Sequence, residues 1–294
     1  MVMTKEFNSR NTFNFLENVF KLAQVQLDSL YTDSLFIAQP PDYNNIISSS
    51  EYLDPKNLLS LLESSYQYQA SQNLKAAASV WNKFYSWVTL PGILALMTWG
   101  GIGLDASLDN ISFVFEKDEI KGIWFHDISR TIIYPQRLPI PIPHNYPGKL
   151  AHTVEELHQF VFTGLFERHL IPLIESLHNL TKLSKKTMWG NAVNACERHF
   201  DELRGYASEQ AISKDYSVLF EESYSSITSN RNPLYNLLRI EQINQPDLLD
   251  KLAVRKTCCL YAIIPPDYRK CNNCPLLTPE ERIAQMKAEM LVDE

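Results

Sequence analysis

Apolar residues recur at helical spacing between Thr12 and Ile37, at Phe13, Phe15, Leu16, Val19, Phe20, Leu22 and Ala23. The QPPDYNN segment, with Pro40 and Pro41, breaks that pattern. Asp54-Pro55 then supplies an N-cap and a proline at a first helical position, so a helix is expected through Leu58 to about Tyr68. Another is expected over Leu74 to Val88, with Trp81, Phe84, Tyr85 and Trp87 facing inward.

The period changes after Asp109. In ISFVFEKDEIKGIWF two runs rich in Ile, Val, Phe and Trp flank a polar EKDE turn, which predicts a β-hairpin from Ile111 to Phe125. A third strand is expected at Thr131 to Tyr134. The stretch from Pro135 to Pro147 holds five prolines, too many for a helix or a sheet interior, and predicts an extended connector. Thr153-Val154-Glu155-Glu156 forms a capping box that opens a helix reaching about Leu180, with a kink at Pro172. Further helices are expected from Ser184 to Tyr206, from Asn232-Pro233, and after the Thr278-Pro279-Glu280-Glu281 cap. The fold class is mainly helical α+β, with one small antiparallel sheet and a C-terminal cysteine-rich loop. Expected divisions are 1–145, helical with the hairpin; 146–250, helical; and 251–294, the cysteine-bearing segment.

With 294 residues, 45% of them hydrophobic, the chain buries a sizeable core. A net charge of -7 argues against a nucleic-acid partner, whose phosphates demand Lys and Arg. The N-terminus lacks a secretory h-region, and the most apolar stretch, Trp87 to Trp99, is short and contains a proline. A cytoplasmic protein without a transmembrane segment is expected, with peripheral membrane contact left open. Gly101-Ile102-Gly103-Leu104-Asp105-Ala106 has the spacing of a dinucleotide fingerprint, but a helix precedes it and a hairpin follows, so it reads as a glycine turn. The seven histidines form no metal-ligand motif, and Cys196 reads as a small buried residue.

Four of the five cysteines gather in TCCLYAIIPPDYRKCNNCPLL, as Cys258-Cys259, eleven residues, Cys271, two residues, Cys274. In a reducing compartment such clustering points to metal or redox chemistry rather than to disulfides. A structural zinc site ordinarily uses two CxxC knuckles, and one is present. A dithiol oxidoreductase needs CxxC alone and leaves the adjacent pair unexplained. A [2Fe-2S] cluster takes four thiolates at irregular spacing, so the chemistry favours iron-sulfur over zinc. Between Asp250 and Pro275 five cations face two anions, a local excess of +3 in an acidic chain. Of these, Arg255, Lys256, Arg269 and Lys270 are candidates for raising the potential of an anionic centre or for docking an electron donor.

VRKTCCLYAIIPPDYRKCNNCPLL resembles the C-terminal signature of the ferric siderophore reductases of the FhuF type: an adjacent cysteine pair, about ten residues, then CxxC followed by proline. Trp189-Gly190-Asn191, downstream of Phe166-Glu167-Arg168-His169-Leu170, resembles a further element of that family. The resemblance implies that Cys258, Cys259, Cys271 and Cys274 ligate a [2Fe-2S] cluster. It also implies a cytoplasmic reductase of imported ferric siderophores. Trp189, Asn191 and Arg130 are candidate substrate contacts. Electrons are expected from a separate ferredoxin-like or NAD(P)H-dependent reductase, since no flavin or nicotinamide motif is visible. The alternative is a noncatalytic siderophore-binding or scaffold protein with a four-cysteine zinc site.

Overall fold

The computed structural model describes residues 2–37, 45–116, 119–224 and 231–290. The break at Pro40 and Pro41 and the hairpin tip at Lys117 and Asp118 lie outside the described residues. The molecule is mainly helical, and among the described residues there are three small sheets, of four, three and two strands.

The expected hairpin forms from Ile111–Glu116 and Glu119–Phe125, in register Ile111 with Phe125, and becomes the centre of the four-stranded sheet. Leu35–Phe36 adds in parallel on one side and Ile46–Ser48 antiparallel on the other. Sequence periodicity shows the hairpin but not these two short edges, which depend on long-range pairing.

Helices Leu74–Thr89 and Pro91–Gly100 form the spine of the body. Asn73 caps the first, accepting from the Ala76 amide at 3.1 Å. Its buried residues include Ala76, Ala77, Ala78, Val80 and Tyr85; Phe84, expected to face inward, is instead 53% exposed. All ten residues of the Pro91–Gly100 helix are buried, which explains the apolar run at this point of the sequence. Gly101 ends the helix at φ +62°, a left-handed position that glycine occupies without strain, and so belongs to a turn. Among the described residues no helix is long and apolar enough to cross a membrane.

The capping box is reciprocal: Thr153 Oγ1 accepts from the Glu156 amide at 3.2 Å, and Glu156 Oε2 accepts from the His152 amide at 2.7 Å. The helix begins as Val154–Phe162, widens into a π-helical segment over Thr163–Leu170, and resumes as Ile171–Thr181. Pro172 has no N–H and its ring crowds the carbonyl four residues back, which the wider turns accommodate where a kink was expected. Within them His169 Nδ1 bonds the Ala106 carbonyl at 2.9 Å, and Nε2 meets the Tyr85 hydroxyl. Burial holds the His169 imidazole down at about 4, so it is neutral.

The proline connector is pinned to the body. Arg137 donates to both carboxylate oxygens of buried Asp215, at 2.7 and 2.8 Å, and His158 Nε2 lies 2.7 Å from Asp215 Oδ1. One buried apolar cluster runs from Phe15 to Leu237.

The helix expected from Asn232-Pro233 does not form. Asn232 Nδ2 donates to the Leu219 and Glu222 carbonyls at 2.9 Å, and its Oδ1 accepts from the Leu234 amide, which holds a turn. An unanticipated antiparallel pair follows, Leu238–Gln242 with Lys251–Arg255, and it delivers the chain to the first cysteine.

Candidate metal centre

A strand, a turn and a helix meet around the cysteines. The Lys251–Arg255 strand leads to Cys258 and Cys259; the CxxC turn is closed by the Cys274 amide donating to the Cys271 carbonyl at 2.8 Å. The Arg255 amide donates to the Asn273 carbonyl at 3.1 Å, joining strand and turn. From behind, the terminal helix Pro279–Met290 inserts Arg282, which is fully buried. Its guanidinium donates to the carbonyls of Asn272, Cys274 and Leu277 and to Glu241, a four-point hold on the loop. Gln285 adds a bond to the Lys270 carbonyl at 2.9 Å.

The thiols interact pairwise, Cys271 with Cys259, Cys259 with Cys258, and Cys258 with Cys274. All are free thiols; Cys259 and Cys274 are buried, Cys258 and Cys271 half-buried. Hydrogen bonding from Cys258 and Cys271, helped by Arg255, drives Cys259 well below the ordinary thiol range. Its bond with Cys258 brings Cys274 down to about 6. Cys258 is raised by its bonds to Cys259 and Cys274, and Cys271 by its bond to Cys259 and by burial. Cys259 and Cys274 are thus the thiols pushed toward the thiolate, the form a metal requires.

Positive charge converges on these sulfurs. Arg255, fully buried, directs Nη2 to Cys259 Sγ at 3.4 Å and Nη1 to Asn191 Oδ1 at 3.2 Å. Burial opposes its charge, but the thiolate of Cys259 outweighs that and raises its pKa. Lys83, from the Leu74–Thr89 helix, places Nζ 3.2 Å from Cys271 Sγ, and the Leu260 amide lies 3.3 Å from Cys258 Sγ. Arg255 Nε is buried with no hydrogen-bond partner among the described residues, an N–H donor left over beside the sulfurs. Four soft sulfurs, flanked by Lys83, Arg255 and a backbone N–H, fit an anionic iron-sulfur group. Among the described residues no three or more His, Cys, Asp or Glu side chains converge as a ready site for a metal ion.

The remaining sequence candidates fall in different settings. Asn191 is buried, with Nδ2 donating to the Ser79 carbonyl at 2.9 Å and to Asn82 Oδ1 at 3.1 Å while Oδ1 receives Arg255. Its amide thus connects the helical body to the cation beside Cys259. Trp189 is half-buried against Phe166, with ring centroids 6.4 Å apart. Arg130 pairs with Asp105 and with Asp109. Lys256 and Arg269 are exposed and Lys270 half-buried; Lys256 donates to Asn236 Oδ1. Cys196 is buried in the main apolar cluster, its thiol pushed up by burial.

Sequence reasoning missed Lys83, Arg282 and Asn194, whose Oδ1 accepts from Asn273 Nδ2. It found Gly190 only as part of a motif. A Cβ at Gly190 would collide with Thr257 Oγ1 and stand 3.4 Å from Thr257 Cβ, so glycine here lets its helix, Lys185–Glu202, approach the residue just before Cys258. Gly190→Ala is therefore expected to displace the cysteine pair and reduce bound iron at least about tenfold. Iron per chain after anaerobic reconstitution, alongside circular dichroism, measures this; wild-type loading would show that the close approach is dispensable.

A mainly helical α+β body carrying a cation-flanked quartet of thiols is the class that fold and site define. The family model described as ferric iron reductase FhuF-like transporter matches residues 79–246, more than half of the chain, and the chain belongs to this family. The match ends before Cys258, so membership rests on the helical body and the cysteine motif is an independent observation. No curated protein matches the chain. Among solved structures, the petrobactin biosynthesis protein AsbB from Bacillus anthracis str. Sterne is similar in fold, with TM-score 0.54 and 12% identity over 94% of this chain and 47% of that one. ATP-bound aerobactin synthetase IucA from Klebsiella pneumoniae matches at TM-score 0.48 and 14% identity, over 64% of this chain and 36% of that one. The chain thus spans less than half the length of either protein.

Proposed function

We propose that this protein reduces ferric iron held by siderophores, using a [2Fe-2S] cluster ligated by Cys258, Cys259, Cys271 and Cys274. The observation that supports the reading is the donor surroundings of the cysteine loop, with Lys83 on Cys271, Arg255 on Cys259 and the Leu260 amide on Cys258. When bound, such a cluster supplies single electrons, at about -400 mV for the plant type. The chain's residues do the rest. Arg282 and Gln285 hold the CxxC turn against the terminal helix, and Arg255 and Lys83 offset the sulfur charge.

The substrate iron is held as Fe(III) by hard oxygen ligands. One electron gives Fe(II), which those ligands hold far less tightly, so reduction is release. Cys258 and Cys271 lie on the half-exposed side, which is where substrate and donor approach in this reading. The exposed cations Lys256 and Arg269 favour an acidic protein as donor. The reaction belongs in the cytoplasm, where the released iron is used.

The test is a single turnover. Dithionite-reduced protein, freed of excess reductant, is mixed anaerobically with a ferric trihydroxamate and a chromogenic Fe(II) chelator. One Fe(II) should appear for each cluster oxidised. Protein that stays reduced while no Fe(II) forms would remove the reductase assignment.

A further inference from the structure

Lys83 and Cys271 are 188 residues apart, yet ammonium and sulfur stand 3.2 Å from each other. The ammonium lies 5.9 Å from the ring centroid of Phe84 and 5.7 Å from that of Tyr261, so two aromatic rings flank it while its polar contact is the sulfur. Ring faces carry negative potential and hold a cation in place without neutralising it. This also gives a reason for Phe84, which leaves the helix's buried face and stands 53% exposed beside the lysine. The four residues come from three elements: the Leu74–Thr89 helix, the Tyr261–Ile263 turn and the CxxC loop.

We propose that Lys83 is a positioning residue that sets the reduction potential of the cysteine centre, by fixing a positive charge against its half-exposed ligand Cys271. The inference rests on the reading that the four cysteines hold a [2Fe-2S] cluster. An arriving electron makes a thiolate-ligated centre more negative, so a fixed cation stabilises the reduced form more than the oxidised one and raises the potential. Arg255 acts in the same sense from the buried side, but its guanidinium also donates to Asn191 Oδ1 and so ties the loop to the helical body, and its removal disturbs structure. Lys83 is half-buried on a helix that is formed and capped without it, and the two roles can be separated there.

A unit charge a few ångströms away in a half-exposed setting changes a one-electron equilibrium by about tenfold. The lysine therefore makes the centre easier to charge by its donor and a milder reductant toward the ferric substrate. Its loss does the reverse.

The experiment is an anaerobic potentiometric titration of wild type, Lys83→Met, Lys83→Gln and Lys83→Arg, following the electron paramagnetic resonance signal of the reduced centre, with iron and sulfide counted in each. Lys83→Met and Lys83→Gln should shift the equilibrium about tenfold toward the oxidised form, which is ~59 mV more negative for one electron. Lys83→Arg should recover most of the difference, and added salt should narrow it. Fully loaded Lys83→Met with the wild-type potential overturns the proposal, as does Lys83→Arg behaving like Lys83→Gln. Failure of both uncharged variants to assemble the centre, with Lys83→Arg intact, makes Lys83 an assembly residue and overturns the tuning role. A wild-type protein without iron and sulfide overturns the cluster reading itself, and that result is visible before any variant is titrated.

Discussion

Cys271→Ser should lose the iron, the sulfide and the reductase activity together, with turnover falling at least about a hundredfold. Cys271 interacts with Cys259 and with Lys83. A serine hydroxyl does not ionise near neutral pH and is a hard ligand, poorly matched to an iron-sulfur centre. Lys83 and Arg255 would then face a smaller negative charge. Cys196→Ala is the control: that thiol lies in the main apolar cluster, to which none of the four belongs, and its loss should leave cluster content unchanged. Iron and sulfide assays with a ferric trihydroxamate turnover measurement check both proteins. Full activity in Cys271→Ser would mean that the cysteines do not carry the electron.

The largest effect on the fold is expected from Asp215→Asn. The carboxylate is fully buried and receives two bonds from Arg137 and one from His158, whose side chain is 1% exposed. Removing its charge leaves the Arg137 cation buried without its counterion, at a cost of about 3–5 kcal/mol. Urea unfolding at neutral pH reads this directly. The same group gives a pH dependence. Burial opposes its ionisation, but the bonds from His158 and Arg137 outweigh burial and hold its pKa below the ordinary carboxylate value. A carboxyl with a depressed folded pKa contributes stability that is full above the unfolded value near ~4 and is lost as pH falls through the folded value. Wild type should therefore lose stability in acid more steeply than Asp215→Asn. Parallel acid profiles would remove Asp215 from the account.

Much of the architecture was legible because it is local. The helix expected from Leu74 to Val88 is Leu74–Thr89, the hairpin occupies its expected span, and both Thr153 and Thr278 cap as their sequences indicate. The glycine turn at Gly101 was legible from its neighbours: a helix before it and a hairpin after. What was not legible is non-local. The Leu238–Gln242 and Lys251–Arg255 strands are held by each other rather than by strong propensity, so a helix at Asn232-Pro233 was expected in their place. The gathering of four cysteines was visible as spacing, but the surroundings of their sulfurs were not. Arg255 was visible as a candidate cation beside the cysteines and Arg282 was missed; both are fully buried, one on a sulfur and one on the loop's carbonyls. Lys83 lies too far along the chain for any local pattern to connect it with Cys271.

The central claim is that these cysteines hold an electron carrier. It is tested most directly by the absorption spectrum of anaerobically purified protein before and after dithionite, with iron and sulfide counted on the same sample. The account predicts red-brown bands that bleach on reduction, with about two irons and two sulfides per chain. A colourless protein with one tightly held zinc, still zinc-bound after anaerobic reconstitution, would contradict it and make the cysteine loop a structural staple.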